Sequence, residues 1–173
     1  GLIGSATMEI FDALYDSTNI NFIGVRDERT GTHMADGYAR ASGQPGVILA
    51  GQNGPGATNL VTGLAQASAA FSPIVSIAGT LPLDPVSCNE FQKIDQQSLF
   101  EPITKKVWTV TQVDQIPEVF HEAFRVAMTS RRGPVHLNLP RDILSKSIKF
   151  ENFNISKSHL SQKALSATTS EIN

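Results

Sequence analysis

The chain has 173 residues, 40% of them hydrophobic, and a formal net charge of −2 at pH 7. This length suits one domain with a sizeable core, and the charge excludes a broad basic surface for nucleic acid or anionic lipid. No stretch is apolar enough to span a bilayer, and no signal peptide is visible, so we expect no membrane partner. The one cysteine, Cys88, excludes an internal disulfide and favours a cytoplasmic protein.

Short β-rich runs alternate with helical stretches along the chain, which is typical of a parallel α/β layer structure. The apolar periodicity predicts helices over residues 5–15, 32–42, 56–70, 95–100 and 116–127. It predicts strands over residues 21–25, 46–50, 73–79, 106–111 and 135–139. The continuous apolar run at 73–79 is expected in a parallel sheet covered on both sides. We therefore expect an α/β fold with a doubly wound parallel sheet and helices on both faces, six strands by the resemblance described below.

The composition changes near residue 151, where Ser, Thr, Asn and Lys become dominant and apolar residues become scattered. We expect one domain over residues 1–150 and a linker or disordered tail over residues 151–173. The sequence opens on GLIG rather than Met, so we expect a fragment whose domain is truncated at its N-terminus.

The segment GQNGPGATN at residues 51–59 follows a predicted strand and opens a predicted helix. Its glycines allow the backbone to approach a ligand closely, and amides at a helix start can hold an anion or an oxygen. The spacing is neither that of a dinucleotide fingerprint nor that of a P-loop, and Pro55 removes a donor. A dinucleotide site is therefore disfavoured, while a tight turn without a ligand stays an alternative.

Glu28 lies between an apolar run and a helix-like segment, and ligands of open α/β sheets bind at such junctions. Burial in an apolar crevice would favour its protonated form, so that it could share a proton with a ring nitrogen. The alternative is an acid that only stabilises a helix N-terminus, a role that Asp27 could also fill.

Other residues give weaker indications of chemistry. His33 and Asp36 lie one helical turn apart, but no third residue has suitable spacing, so we predict no metal site. We expect His136 to be packed in a strand. Solvent-exposed positions are expected for His121 and the Arg131–Arg132 turn, and Cys88 has no clear catalytic partner.

Several motifs occur in a fixed order: DE at 27–28, HMADGYAR at 33–40, GPGATN at 54–59, FQ at 91–92, ITK at 103–105 and GPV at 133–135. Together they resemble the N-terminal, pyrimidine-binding domain of thiamine diphosphate-dependent enzymes. The group is the one that contains acetolactate synthase, oxalyl-CoA decarboxylase and sulfoacetaldehyde acetyltransferase. The resemblance covers residues 1–144.

The resemblance implies a role for each of these motifs. Glu28 would hydrogen-bond a nitrogen of the aminopyrimidine ring and so promote removal of a proton from the thiazolium carbon. The pyrimidine pocket would be lined by Gly54, Pro55 and Asn59, and Phe91 and Gln92 would lie on the substrate side. The diphosphate and Mg²⁺ would be held by a second domain with a Gly-Asp-Gly motif, which this chain lacks. The chain alone would be inactive, and we expect a homodimer or homotetramer completed by that domain, from the same or a partner chain.

Some segments depart from acetolactate synthase. The stretch GLIGSA at residues 1–6 and the pair Gln52–Asn53 resemble sulfoacetaldehyde acetyltransferase more closely. Arg29 replaces the glutamine that often follows the glutamate, and the loop at residues 83–90 differs from the family pattern. We expect a lyase or transferase that acts on a 2-keto acid or on sulfoacetaldehyde. A non-catalytic remnant, a regulatory module and one half of a split enzyme stay open as alternatives.

Overall fold

The computed structural model describes residues 1–84 and 91–149. Its centre is a four-stranded sheet in the order β1-β2-β4-β3, and each neighbouring pair of strands is parallel. The strands are β1 Gly46–Ala50, β2 Ile74–Thr80, β3 Val107–Thr109 and β4 Val135–Pro140. The helices are α1 Met8–Tyr15, α2 Glu28–Ser42, α3 Pro55–Ala69, α4 Gln96–Phe100, α5 Ile116–Met128 and α6 Arg141–Leu144. Single 3₁₀ turns occur at Ser5–Thr7, Glu101–Ile103 and Val113–Gln115.

Helices cover both faces of this sheet, because successive side chains of a strand point to opposite faces. Ile48 and Ile74 pack on one face against Leu60 and Leu64 of α3. Leu49, Val75, Ile77 and Leu137 point to the other face, where side chains of α1 and α5 cover them. The layered arrangement confirms the predicted α/β fold with a doubly wound parallel sheet.

Helix α2 begins four residues before its predicted start. The cause is Asp27, whose side chain accepts a hydrogen bond from the Arg29 backbone N–H at 2.8 Å and so caps the helix. The end of the helix is as predicted. Gly43 adopts a φ of 70°, a left-handed conformation in which its N–H bonds to the carbonyl of Ala39.

The predicted strand at residues 21–25 is wrong. This segment pairs with Gly1, whose amine donates to Ile23 O at 2.8 Å and whose carbonyl accepts from Val25 N at 2.9 Å. Leu2 N donates in turn to Leu49 O at 3.1 Å, so residues 1–2 connect the segment to the edge of β1. These bonds do not form a strand ladder in the described structure. Within the described ranges the sheet has four strands, whereas the periodicity predicted five and the resemblance implied six.

Several sequence predictions lie outside the described residues. These are Cys88, residues 85–90 of the loop before Phe91, and the linker or tail predicted over residues 151–173. Among the described residues, no helix combines the length and apolar character that crossing a membrane requires.

Candidate functional site

The site lies where α2 and α3 run side by side. The contacts between the two helices include Glu28 with Asn59, Thr32 with Gly63, and Asp36 with Gln66. At the middle contact a Cβ on residue 63 would lie 2.5 Å from Thr32 Cγ2. Only glycine allows the helices to approach this closely, and the close approach brings the polar side chains on either side of it together.

Glu28 is buried at the first turn of α2, with 3% of its surface exposed. Asn59 Nδ2 donates a hydrogen bond to Glu28 Oε2 at 3.0 Å. Across residues 1–84 and 91–149, no hydrogen bond reaches the other carboxylate oxygen, Oε1. That oxygen faces Gly56, where a Cβ would lie only 3.1 Å from it. One oxygen of the acid is therefore held by the protein, and the other faces a space that a glycine keeps open.

The turn that begins α3 requires its glycine. Gly54 has a φ of 58°, and a Cβ there would lie 2.4 Å from Gln92 O. Pro55 is the first residue of the helix, a position whose N–H has no acceptor within the helix. The donor that Pro55 lacks is therefore not needed, and the proline fixes the start of the helix.

Phe91 and Gln92 lie against this same turn. Asn53 Nδ2 lies 3.4 Å from Phe91 O and 3.3 Å from Gln92 O, and Gln52 Nε2 donates to Gln92 Oε1 at 2.9 Å. Gln92 has a φ of 61°, and the Phe91 side chain projects outwards with 65% of the residue exposed. The structure thus gathers the residues that the sequence singled out around the start of α3: Glu28, Gly54, Pro55, Asn59, Phe91 and Gln92.

Sequence reasoning missed the role of Gln96, which is 4% exposed. Its Oε1 accepts from Gly54 N at 3.3 Å, and its Nε2 donates to Asn138 Oδ1 at 2.9 Å and to Gly79 O at 3.3 Å. The sequence did signal a polar partner for Gln96 on β4. The run VHLNL at residues 135–139 places His136 and Asn138 on one face of an otherwise apolar strand.

His136 is packed in the core, as predicted. Its ring stacks on Phe100 at 3.7 Å between centroids, and its Nδ1 and Nε2 lie 2.8 Å from Ser76 Oγ and 3.0 Å from Asn138 Oδ1. Burial lowers the pKa of this histidine to about 3, against a weaker opposing effect of the Asn138 contact. The ring is therefore neutral near pH 7 and carries no charge into the site.

Asp36 is satisfied within the protein. Its Oδ1 accepts from Arg40 Nε at 2.9 Å and its Oδ2 accepts from Gln66 Nε2 at 2.9 Å. Burial alone would raise the pKa of Asp36, but hydrogen bonds, first that of Arg40, hold the pKa below its ordinary value. In the part of the chain that the structure describes, no three His, Cys, Asp or Glu side chains are grouped as metal ligands.

Comparison with known proteins identifies the family of this domain. The family model described as the N-terminal TPP binding domain of thiamine pyrophosphate enzymes matches residues 1–99. The chain belongs to this family. The match confirms the resemblance drawn from the ordered motifs, and it makes thiamine diphosphate the cofactor of the enzymes that carry such a domain.

Curated relatives of this family cover most of the chain. The chain is 44% identical over 155 residues to a probable acetolactate synthase large subunit of Methanocaldococcus jannaschii, which covers 90% of this chain and 26% of the relative. It is 40% identical over 149 residues to the acetolactate synthase isozyme 3 large subunit of Escherichia coli, with 86% and 26% covered. It is 42% identical over 143 residues to the mitochondrial acetolactate synthase catalytic subunit of Aspergillus candidus, with 83% and 20% covered. The chain thus spans about a quarter of the length of these relatives.

Proposed function

We propose that residues 1–150 form the pyrimidine-binding domain of a thiamine diphosphate-dependent lyase or transferase, and that the aminopyrimidine ring lies in the crevice between α2 and α3. The observation that supports this most is the Glu28 carboxylate, which is buried with only one of its oxygens bonded to the described protein. A ligand that donates a hydrogen bond to Oε1 would complete the bonding of this carboxylate.

The residues beside Glu28 fit a flat ring that carries nitrogen atoms. Gly56 leaves room next to Oε1, because any larger residue would place its Cβ 3.1 Å from that oxygen. Asn59 fixes the direction of the carboxylate through its bond to Oε2. In the proposal Gly54, Pro55 and Asn59 line the pocket, and Glu28 hydrogen-bonds a ring nitrogen.

The cofactor, when bound, supplies an electron sink for making or breaking a carbon–carbon bond beside a carbonyl. The task of this domain is to hold a proton at a defined atom. Glu28 would share that proton with a ring nitrogen of the bound cofactor, and its burial would strengthen the hydrogen bond. The Asp27 side chain caps the N-terminus of α2, so the Glu28 side chain is not needed as a cap and can bind a ligand.

For the substrate, a 2-keto acid is our first candidate, since the relatives described above are named acetolactate synthases. Phe91 and Gln92 lie beside the turn and would contact the substrate. Sulfoacetaldehyde is the second candidate. The two segments that depart from acetolactate synthase touch each other, because Ser5 Oγ donates to Gln52 Oε1 at 2.8 Å. Assays of the complete protein with pyruvate and with sulfoacetaldehyde distinguish the two.

The complete site needs more than this domain. We propose that a diphosphate-binding domain, on the same chain or a partner chain, holds the diphosphate and Mg²⁺, and that the enzyme is a cytoplasmic homodimer or homotetramer. The much greater length of the relatives supports an additional domain. A remnant without catalysis, a regulatory module and a split enzyme are the alternatives, and the domain alone would be inactive in each case.

The decisive variant is Glu28→Gln in the complete protein. We expect turnover with thiamine diphosphate and Mg²⁺ to fall by about 10²–10⁴-fold, because glutamine cannot share a proton with the ring nitrogen. The melting temperature should change little, since a glutamine can still accept the hydrogen bond from Asn59. Glu118→Gln is a matched control, as Glu118 is exposed in the first turn of α5.

Two results would contradict the proposal. Near-normal turnover of Glu28→Gln would remove Glu28 from the chemistry. A wild-type protein that fails to bind thiamine diphosphate would favour the remnant instead.

A further inference from the structure

We propose that Gln96 is a positioning residue whose side chain holds the Gly54 turn in the conformation that receives the pyrimidine ring. This inference rests on the proposed function, but it concerns a residue outside the motifs that suggested that function.

The Gly54 turn needs an external constraint. Gly54 is buried, adopts a φ of 58° and precedes α3 without any side chain to cap the helix. Glycine has access to more backbone conformations than any other residue, so its own preferences do not fix this one. The Gly54 N–H points to Gln96 Oε1 at 3.3 Å, a side chain 42 residues further along the chain.

The Gln96 carboxamide is itself fixed by the centre of the sheet. Its Nε2 donates to Asn138 Oδ1 at 2.9 Å and to Gly79 O at 3.3 Å. Asn138 belongs to β4 and Gly79 to β2, which are neighbouring strands. With Gly54 N on its oxygen, both ends of the carboxamide are bonded. The turn is therefore tied to two central strands through one rigid planar group.

The bonds behind Gln96 orient the Asn138 carboxamide. Asn138 Nδ2 donates to Thr109 Oγ1 at 3.3 Å, so Asn138 Oδ1 faces both Gln96 and His136. With Asn138 Oδ1 as the acceptor, His136 donates from Nε2, and its Nδ1 lies 2.8 Å from Ser76 Oγ. The single proton of the Ser76 hydroxyl is donated to Val135 O at 2.9 Å. Asn138 Oδ1 is thus held as the acceptor for Gln96 Nε2 by its own contacts with Thr109 and His136.

The consequence for the site is pre-organisation. Without the carboxamide of Gln96, the turn would also sample conformations that cannot receive the ring. Binding would then have to select the receptive conformation from this mixture, which lowers the affinity. Glu28 and its bond to Asn59 involve no atom of Gln96. Loss of Gln96 should therefore weaken cofactor binding and leave turnover at saturating cofactor nearly intact.

The neighbouring residue provides a matched control. Gln97 is half-buried, and its carboxamide bonds Glu101 Oε1 at 2.8 Å and Thr109 Oγ1 at 3.2 Å without touching the turn. Ser76→Ala is a second control, since it removes the far end of the network and leaves the contacts of Gln96 in place.

The test compares Gln96→Met, Gln97→Met and Ser76→Ala in the complete protein. Gln96→Met should raise the dissociation constant for thiamine diphosphate, measured with Mg²⁺, by about tenfold. A tenfold change corresponds to the loss of one hydrogen bond between uncharged groups. Turnover at saturating cofactor should stay within about threefold, and amide hydrogen exchange at Gly54 should accelerate. Gln97→Met and Ser76→Ala should change neither cofactor binding nor Gly54 exchange. Should Gln96→Met fail to fold, Gln96→Asn keeps the amide and withdraws it from the turn.

The outcomes separate this inference from the proposed function. An unchanged dissociation constant in the Gln96 variant overturns the inference, as does an equal weakening in Ser76→Ala at the same melting temperature. If the wild-type protein binds no thiamine diphosphate, the proposed function fails, and Gly54 exchange alone decides. Faster exchange in the Gln96 variant then still supports the positioning role, and unchanged exchange overturns it.

Discussion

The two buried acids of α2 differ in what holds them. Glu28 and Asp36 are each 3% exposed, and each accepts a hydrogen bond from an amide of α3, Asn59 or Gln66. The second oxygen of Asp36 is bonded to Arg40, whereas that of Glu28 has no hydrogen bond from the described part of the chain. The helix pair α2 and α3 thus contains one carboxylate with both oxygens hydrogen-bonded and one with a single oxygen hydrogen-bonded.

This difference separates a structural role from a functional one. A carboxylate whose oxygens are both bonded stabilises the helix pair and has nothing left to offer a ligand. A carboxylate with a free oxygen next to a glycine contributes less to folding and more to binding. Burial alone does not distinguish the two acids, but counting the bonds on each oxygen does.

The largest expected effect comes from neutralising each acid in turn. Asp36→Asn should lower the free energy of unfolding by about 2 kcal/mol, since a buried charge-assisted network is lost, and turnover per folded molecule should persist. Glu28→Gln should show the reverse, with turnover reduced and stability changed by less than about 0.5 kcal/mol. Urea unfolding and steady-state kinetics of the complete protein measure both. If the two variants lose stability and turnover in the same proportion, the assignment of a structural role to Asp36 and a functional role to Glu28 is wrong.

A smaller effect is expected from two glycines of α3, Gly63 beside Thr32 and Gly56 beside Glu28. A Cβ at Gly63 would lie 2.5 Å from Thr32 Cγ2, so Gly63→Ala should force α2 and α3 apart and lower the free energy of unfolding by about 1–3 kcal/mol. Gly56→Ala crowds the flexible end of Glu28 at 3.1 Å. It should weaken cofactor binding with little change in melting temperature.

Gly37→Ala is the control for both glycine variants. A Cβ at Gly37 would meet nothing within 4 Å, and alanine is a better helix former than glycine, so this change should be neutral or slightly stabilising. A Gly56→Ala protein that binds cofactor normally would show that the space beside Glu28 is not where the ring lies.

The smallest effect concerns pH. The pKa of Asp36 lies below its ordinary value of 3.8, since the hydrogen bond from Arg40 and the others outweigh the effect of burial. The unfolded chain therefore binds the proton first as the pH falls, so the stabilisation is complete above about pH 4 and is lost through the lower, folded pKa. Arg40→Gln should move acid unfolding to higher pH. In the Asp36→Asn background the same change should have no such effect, and a shift there would assign the pH dependence to another group.

Local sequence signals predicted much of the fold and the site. Gly43 predicted the end of α2, and the spacing of apolar residues predicted β1 with its observed limits. The order of the motifs along the chain indicated Glu28, Gly54 and Asn59 as site residues. Each of these signals depends on a few neighbouring residues or on their order along the chain.

Long-range contacts decided the rest. Residues 21–25 contact Gly1, 22–24 positions away along the chain, and local propensity does not predict such a contact. Gln96 stands in a polar run with Gln97, and only the packed structure shows that one faces the Gly54 turn and the other does not.

The sequence by itself therefore determined the α/β class, the family and the acid on which the proposed chemistry depends. The tertiary structure alone decided which oxygen of that acid stays free, how closely α2 and α3 approach, and what fixes the Gly54 turn. The physical reason is distance along the chain. Propensity and periodicity act over a few residues, whereas the hydrogen bonds of Glu28 with Asn59 and of Gly54 with Gln96 join residues 31 and 42 positions apart.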